Sequence, residues 1–543
     1  MTSASTIRKR SLAALSGVAI AAMALSGCAA GTDSGDSGTS GTITVGTTDK
    51  VTTLDPAGSY DNGSFFIMNN VFPFLMNSNP GSSDVNPDIA ESAEFTSPTE
   101  YTVKLKSGLK WANGNDLTAS DVKFSFDRQL KIAADNGPST LLYNLDSTEV
   151  KDDLTVVFHL KAGNDQIWPQ ILSSPAGPIV DEDVFSADAL TTDQEIVDGN
   201  AFAGPYVISS YKFNELVQFK AYDGYQGLLG KPKTATINLK YYADQSNMKL
   251  DVQEGNIDVA TRSLSATDIE SLSGNDNVVV HKGPGGEIRY IVFNFNTMPF
   301  GAATAEADPA KSLAVRQAIA DLIDREAIAN QVYKGTYLPL YSYVPAGLTG
   351  ATEVLKDLYG DGNGGPDADK AKSTLDAAGV TTPVTLNLQY NPDHYGASSG
   401  DEYALIKSQL ESSGLFTVNL QSTEWVQYSK DRSADVYPLY QLGWFPDYSD
   451  ADNYLSPFFQ TDNFLKNHFS DPAIDTLIQG QATEGDPATR KGMIEDIQEK
   501  VAEQLSTLPM LQGAQVVVAG KDVKGVDETL DASFKFRFNV LSK

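Results

Sequence analysis

The chain has 543 residues, 41 % of them hydrophobic, with 40 Lys and Arg against 70 Asp and Glu and a formal net charge of −30. That length normally divides into two or three domains, and that acidity repels nucleic acid and anionic headgroups, which excludes a nucleic-acid partner. One cysteine excludes any disulfide within a single chain, so stability must come from core packing.

At the N-terminus Arg8, Lys9 and Arg10 precede an apolar run from Ser11 to Leu25, the length of a signal-peptide core and too short for a spanning helix. Residues 1–27 are expected to be removed on export. Cys28 follows Leu25-Ser26-Gly27, and L-S-G-C resembles the bacterial lipobox, in which the thiol is acylated and the cysteine becomes the first mature residue. Two or more acyl chains give stable anchoring, since each buried methylene contributes about 0.8 kcal/mol. The Gly, Ser, Thr and Asp that follow have nothing to bury, so 28–41 reads as a lipidated flexible tether. Losing the leader's three cations takes the mature charge to −33. No later apolar run reaches 18 residues, so lipid alone would hold the protein at the outer face of the cell membrane, or in a periplasm.

In chain order, alternating apolar segments predict strands at 42–47, 101–106, 154–160, 216–222, 277–282, 290–296 and 384–390. Thr118 and Asp121 have the spacing of a capping box and open a helix. GPGGE at 283–287 matches neither a P-loop nor a dinucleotide fingerprint and reads as a turn. Val315, Ala318, Ile319, Leu322 and Ile323 recur at helical spacing, which predicts one helix over 312–333 with a turn at Lys334-Gly335. On it, Arg316 and Arg325 are expected in solvent or paired with Asp321, Asp324 or Glu326. The Asp/Gly-rich stretch 361–369 lacks the carboxylate spacing of a calcium loop and reads as a loop leading into a helix. Asp486-Pro487 caps and starts a last helix through Leu505. The mixture is α/β, or mixed α+β. His159, His281, His394 and His468 show no metal-ligand spacing, and no nucleophile elbow appears, so no cofactor and no catalytic set is expected.

Several segments, ordinary singly, are specific together. WANGNDLTASDVKFSFDR (111–128), AFAGPYVISSYKFNELVQFKAYDGYQG (201–227), QEGNIDVA (253–260), the stretch from FNFNTMPF to the helix over 312–333, LGWFPDYSDADNYLSPFF (442–459) and the helices after Ser470 follow one another as the blocks of a known family do. The chain thus resembles the extracellular solute-binding proteins of family 5, the peptide/nickel-type binding components of ABC importers, from residue 42 to about 530. The resemblance implies a periplasmic-binding-protein-like, two-lobed, three-domain body with the ligand cleft between the lobes. It divides the chain into domain I at 42–84, 201–285 and 509–543, domain II at 85–200, and domain III, the second lobe, at 286–508.

The segment Gly443-Trp444-Phe445-Pro446-Asp447-Tyr448 places an indole, a carboxylate and a phenol next to a glycine and a proline. Aromatic rings supply rigid contact area, and a carboxylate accepts charge-assisted hydrogen bonds from an ammonium group. The alternative is that Trp444 and Tyr448 are core and Asp447 caps a turn. In the family's peptide binders the acid three residues after the tryptophan receives the ligand's α-amino group, and Asp447 matches it. Leu54-Asp55-Pro56 matches the element before the loop that pairs with an extended peptide, which makes Tyr60, Asp61, Asn62 and Gly63 candidates. Arg432 matches, on spacing, an arginine near the ligand's C-terminal side in some oligopeptide binders. Gln441 stands where some of those binders carry a basic residue.

The resemblance further implies capture rather than catalysis: two lobes hinge shut on a peptide and present the closed form to a permease and its ATPase subunits. A monomer is expected. Within the same fold the solute could be a nickel chelate, an oligosaccharide or an opine-like compound, although an acid aimed at the ligand favours an ammonium. A secreted hydrolase is the alternative from another class, and a surface receptor or adhesin a third.

Overall fold

The computed structural model describes residues 41–543 apart from 263, 393, 396, 397, 533 and 534, so the expected leader, Cys28 and nearly all of the tether lie outside the described residues. Thr42–Thr47 buries Ile43 and Val45 and lies between Thr236–Tyr241 and Val259–Thr261, parallel to both. These strands belong to an eleven-stranded mixed sheet whose middle is a pair of long antiparallel strands, Val278–Phe293 and Thr507–Gly520. One half of the pair, 278–284 against 514–520, belongs with a core holding Ile43, Val45, Phe219, Leu239, Val517 and Ala519. The other half, 288–292 against 507–512, belongs with a core holding Ile291, Val292, Val315, Ile497, Leu508 and Leu511. Two lobes are therefore strung on one shared pair of strands.

This pair corrects the reading of GPGGE as a turn. The segment stays within the long strand, and the register slips between Pro284 and Ile288, where two extra residues form a bulge. Its glycines are needed for close approach: a Cβ on Gly285 would stand 2.4 Å from the carbonyl oxygen of Gly513, and one on Gly286 would stand 2.7 Å from Pro446. The slip lies where the strands pass from one lobe to the other.

A second, four-stranded antiparallel sheet runs in the order Ala90–Ser97, Glu100–Leu105, Thr155–Leu160, Leu145–Asp152. Helix Ala119–Ile132 covers it, burying Val122 and Phe126 against Phe158 and Trp168. The expected capping box is present, with Thr118 as N-cap and Asp121 accepting its backbone N–H at 2.8 Å.

The helix expected over 312–333 is two helices, Pro309–Leu322 and Arg325–Gln331. Ile323 is extended, and Asp324 caps the second helix by accepting from Ala327 N at 2.8 Å, a local bond that competes with continuation. The two arginines are also not where surface helicity would put them. Arg316 is buried, donates to the Gln504 carbonyl and lies 4.3 Å from the Phe295 ring; Arg325 is buried, donates to the Pro509 carbonyl and lies 5.0 Å from Tyr341. Burial pushes both guanidinium groups down to about 10. They tie their helices to the chain around Thr507–Gly520 through carbonyls and ring faces.

Candidate functional site

Between the lobes lies a cavity of about 340 Å³. One wall is the entry to helix Asn62–Val71, with Tyr60, Asp61, Asn62 and Phe65; a second is Gln170, Ser173 and Ser174; the opposite lobe supplies Phe445, Pro446, Asp447 and Tyr448; and Lys535 comes from the C-terminal segment. Four regions far apart in sequence thus meet on one space.

The first wall is held from behind. Asp55 lies fully buried and receives both terminal nitrogens of Arg128 at 2.7 Å, with further bonds from Ala57 N and Thr191 N. A bidentate pair of this kind fixes orientation as well as position. The LDP element and the arginine that closes the 111–128 block are therefore bonded to each other, and together they set where the loop to Tyr60 begins. Asp61 is the N-cap of the following helix. Its carboxylate accepts from Ser64 N at 2.8 Å, Thr52 Oγ1 at 2.5 Å, and the hydroxyls of Ser59 and Ser64, so it is committed to the loop. Gly63 does not line the cavity; it is a glycine because a Cβ would stand 2.0 Å from the Lys50 carbonyl oxygen.

The second lobe presents Asp447 on a loop after strand Leu439–Trp444, which pairs with Ile288–Phe293. Asn453 organises this loop. Its Oδ1 accepts from Trp444 Nε1 at 2.8 Å and from Asp447 N at 2.9 Å, while its Nδ2 donates to Asp447 Oδ2 at 3.3 Å. The other carboxylate oxygen accepts from the hydroxyl of Tyr60, so the two lobes meet through this bond. Tyr60 remains 38 % exposed as a residue, yet burial around its hydroxyl, and then the Asp447 charge, push that hydroxyl far above its usual range. It therefore keeps its proton and donates it to Asp447. Tyr448 donates to Asp452 at 3.1 Å and packs against the core of the four-stranded domain, and its hydroxyl too is raised by burial and by Asp452.

The remaining candidates support rather than line this space. Trp444 stacks edge-on to Phe458 at 5.1 Å and lies against Phe464. Gly443 leaves room for Tyr395, whose ring would otherwise stand 2.8 Å from a Cβ. Arg432 is 7 % exposed, with its guanidinium 4.8 Å from the Phe464 ring, so it stands behind Trp444 and away from the cavity wall. Gln441 is buried and spends its amide on Asn391 N and Ser399, a structural role.

Sequence reasoning missed Asn453, Ser173, Ser174 and Lys535. A signal for the last does exist: Lys535-Phe536-Arg537-Phe538 interleaves cations with phenylalanines. Phe536 stacks on Phe66 at 5.5 Å and Phe538 joins the same core, so strand-like alternation turns Lys535 and Arg537 to the other side.

Comparison with known proteins follows the same lines. The model of bacterial extracellular solute-binding proteins, family 5 Middle, matches residues 84–466. A dipeptide-binding protein of Bacillus subtilis (strain 168), DppE, is 24 % identical over 93 % of this chain and 94 % of its own length. Among solved structures, the unliganded open form of the periplasmic murein tripeptide binding protein MppA superposes with a TM-score of 0.79 at 19 % identity, covering 92 % of this chain and 97 % of that one. The binding protein DppA of Helicobacter pylori in complex with the peptide STSA gives 0.67 at 20 % identity, over 93 % and 98 %. No helix among the described residues is long and apolar enough to cross a membrane. With two lobes sharing one pair of long strands, an interlobe cavity and a family match over most of its length, the chain belongs to the bacterial extracellular solute-binding proteins of family 5.

Proposed function

We propose that this protein captures short peptides outside the cytoplasmic membrane and hands them to an ABC permease, with Asp447 receiving the ligand's α-ammonium. One observation carries the reading: among the described residues, Asp447 is the carboxylate of the cavity that its own lobe holds by one side-chain donor, Asn453, whereas Asp61 is consumed by its helix cap. An ionised carboxylate offers about four lone-pair sites, so sites remain for an ammonium after Asn453 and Tyr60 are served. The peptide ligands named for the similar proteins agree with this. Closure about the bulge at 284–288 removes the ligand from water, and the chemistry is capture without bond making.

In this reading an acylated Cys28 holds the protein at the membrane. A Cys28→Ser variant should fold and be released from the membrane fraction; retention after a high-salt wash would remove the anchor from the account.

The central test is calorimetric titration of wild type and Asp447→Asn with a free di- or tripeptide and its N-acetyl form. Breaking a desolvated charge pair costs about 2–5 kcal/mol, which is about 30-fold to a few thousandfold in affinity. The N-acetyl peptide should bind wild type weakly and ignore the substitution. Equal losses for both ligands would make Asp447 a structural residue.

A further inference from the structure

A second cavity, of about 230 Å³, adjoins the first, and Phe445 borders both. Phe445 is 46 % exposed, so much of its ring is free of packing. The far cavity takes its walls from both lobes and from the strands they share. Leu264 and Ile269 belong with the core around Val278 and Val518, Tyr337 packs on the core around Val292 and Leu508, and Glu287 comes from the strand Val278–Phe293. The two spaces are also close along the chain, because Pro446 stands against Gly286, the neighbour of Glu287, and Asp447 follows Pro446.

Glu287 gives the far cavity its chemistry. Its side chain is 12 % exposed. Oε1 accepts from the Tyr337 hydroxyl at 2.8 Å and from Arg289 Nε at 3.2 Å, whereas Oε2 has no hydrogen-bond donor among the described residues. An ionised carboxylate accepts at both oxygens, so half of this one is unspent. Arg289 does not settle its charge. That guanidinium is buried and also lies 3.8 Å from an oxygen of Glu402, so one cation stands between two carboxylates. Burial pushes the Glu402 carboxyl up, and the Arg289 charge draws it back. A cation arriving at Glu287 Oε2 would complete Glu287 and leave Arg289 to Glu402. The other cation on the wall, Arg262, is paired with Asp49 at 2.6 Å.

The rest of the lining suits a long side chain with a charged tip. Leu264, Ile269 and Phe445 are apolar, and the methylenes of lysine or arginine bury along such surface while the head reaches a polar group. An exposed aromatic face adds attraction for the cation. At about 230 Å³ the space is below the range of whole-ligand pockets, so it holds one side chain rather than a separate solute.

We infer that the far cavity is a selectivity pocket for a lysine or arginine side chain of the bound peptide, with Phe445 as the ring the stem passes and Glu287 as the carboxylate that receives the head. The inference rests on the peptide reading above and adds the side chain that the protein prefers. The α-ammonium stays at Asp447. An acidic side chain would bring like charge to Glu287 and be refused.

The test is calorimetric titration of the full mature chain, stripped of bound solutes, with Lys-Ala against norleucine-Ala and Ala-Lys against Ala-norleucine. Norleucine keeps the stem and loses the ammonium. In wild type, lysine should bind about 10-fold or more tightly than norleucine in at least one pair, the worth of a hydrogen bond to a charged group. Glu287→Gln should bring that ratio to within about threefold of unity. A ratio below about threefold in both pairs of wild type overturns the pocket without any variant having to fold. A ratio that survives Glu287→Gln also overturns it: the cation is then read elsewhere, and a Glu287 that only supports the fold would weaken both members of a pair alike. If N-acetylation of norleucine-Ala still abolishes binding when the ratio fails, the Asp447 reading stands by itself; if no dipeptide binds in any form, both fall.

Discussion

Arg128 and Lys535 are both buried cations, 2 % and 6 % exposed, and the protein treats them in opposite ways. Arg128 has its partners supplied by the fold: two oxygens of Asp55 and the carbonyls of Ser186 and Ala189. Lys535 donates to a serine hydroxyl, with another cation beside it and the Asp531 and Asp88 carboxylates acting on it from farther than ion-pair distance. A buried pair that is complete holds two segments in register, while a buried charge left incomplete is tolerable only if something else completes it. The first kind lies within the family's sequence blocks and builds the cleft. The second lies outside those blocks and faces into it.

The comparison breaks most sharply in unfolding experiments on the stripped protein. Arg128→Met leaves the Asp55 carboxylate buried with only backbone donors, a loss of about 3–5 kcal/mol, read as a lower denaturation midpoint in urea. Lys535→Met removes an ammonium that the fold does not satisfy and should leave the midpoint unchanged or raise it, the usual trade of stability for function. Equal destabilisation by both would make Lys535 a structural cation and erase the contrast.

A third buried charge sharpens it. Asp121 has no cation partner among the described residues, and its carboxylate accepts from Thr118 N and Glu182 N; burial raises it from 3.8 to about 6. Because the folded protein holds this proton more tightly than the unfolded chain, the group favours folding below pH 4. That contribution is lost as the pH rises from about 4 to about 6, by up to about 3 kcal/mol, and is constant above. Asp121→Asn should flatten the stability profile in that window. A wild-type profile that rises steadily from pH 4 to 6 with no change on substitution would show that backbone donors alone suffice to hold the ionised form.

Much of the architecture was legible because it rests on local periodicity. The strands at 42–47 and 384–390, the Thr118 cap and the Asp486-Pro487 helix start form where alternation and capping chemistry put them. What escaped depends on contacts remote in sequence. GPGGE has turn composition, but Thr507–Gly520 pairs with the strand on both sides of its glycines, so the segment becomes a bulge within a strand instead of a turn. Arg316 and Arg325 have the helical spacing of surface charges, but the Gln504 and Pro509 carbonyls and the rings of Phe295 and Tyr341 draw them inward. At the site, the Gly443–Tyr448 motif led to Asp447 and Tyr448, and the LDP element led to Tyr60, Asp61 and Asn62, all on the cavity wall. Neither motif contains Asn453 or Lys535, whose roles come from side chains the fold carries to them.

The smallest expected effect concerns how Asp447 is shared across the cleft. Tyr60 donates to one of its oxygens, and a ligand ammonium would approach the same carboxylate. If the phenol and the ammonium bind side by side, Tyr60→Phe removes one charge-assisted hydrogen bond that also ties the lobes, and such a bond is worth about 1.5–3 kcal/mol. Affinity should then fall about 10- to 150-fold, and by the same factor for free and N-acetyl peptides, because the loss is in closure rather than in the ammonium contact. If the phenol instead occupies the ammonium's place and has to be displaced, Tyr60→Phe would bind the free peptide more tightly than wild type and leave the N-acetyl form unaffected. Titration of the two peptides into the one variant separates these outcomes, and a tightening would mean that the bond between Tyr60 and Asp447 is a latch that the ligand must open.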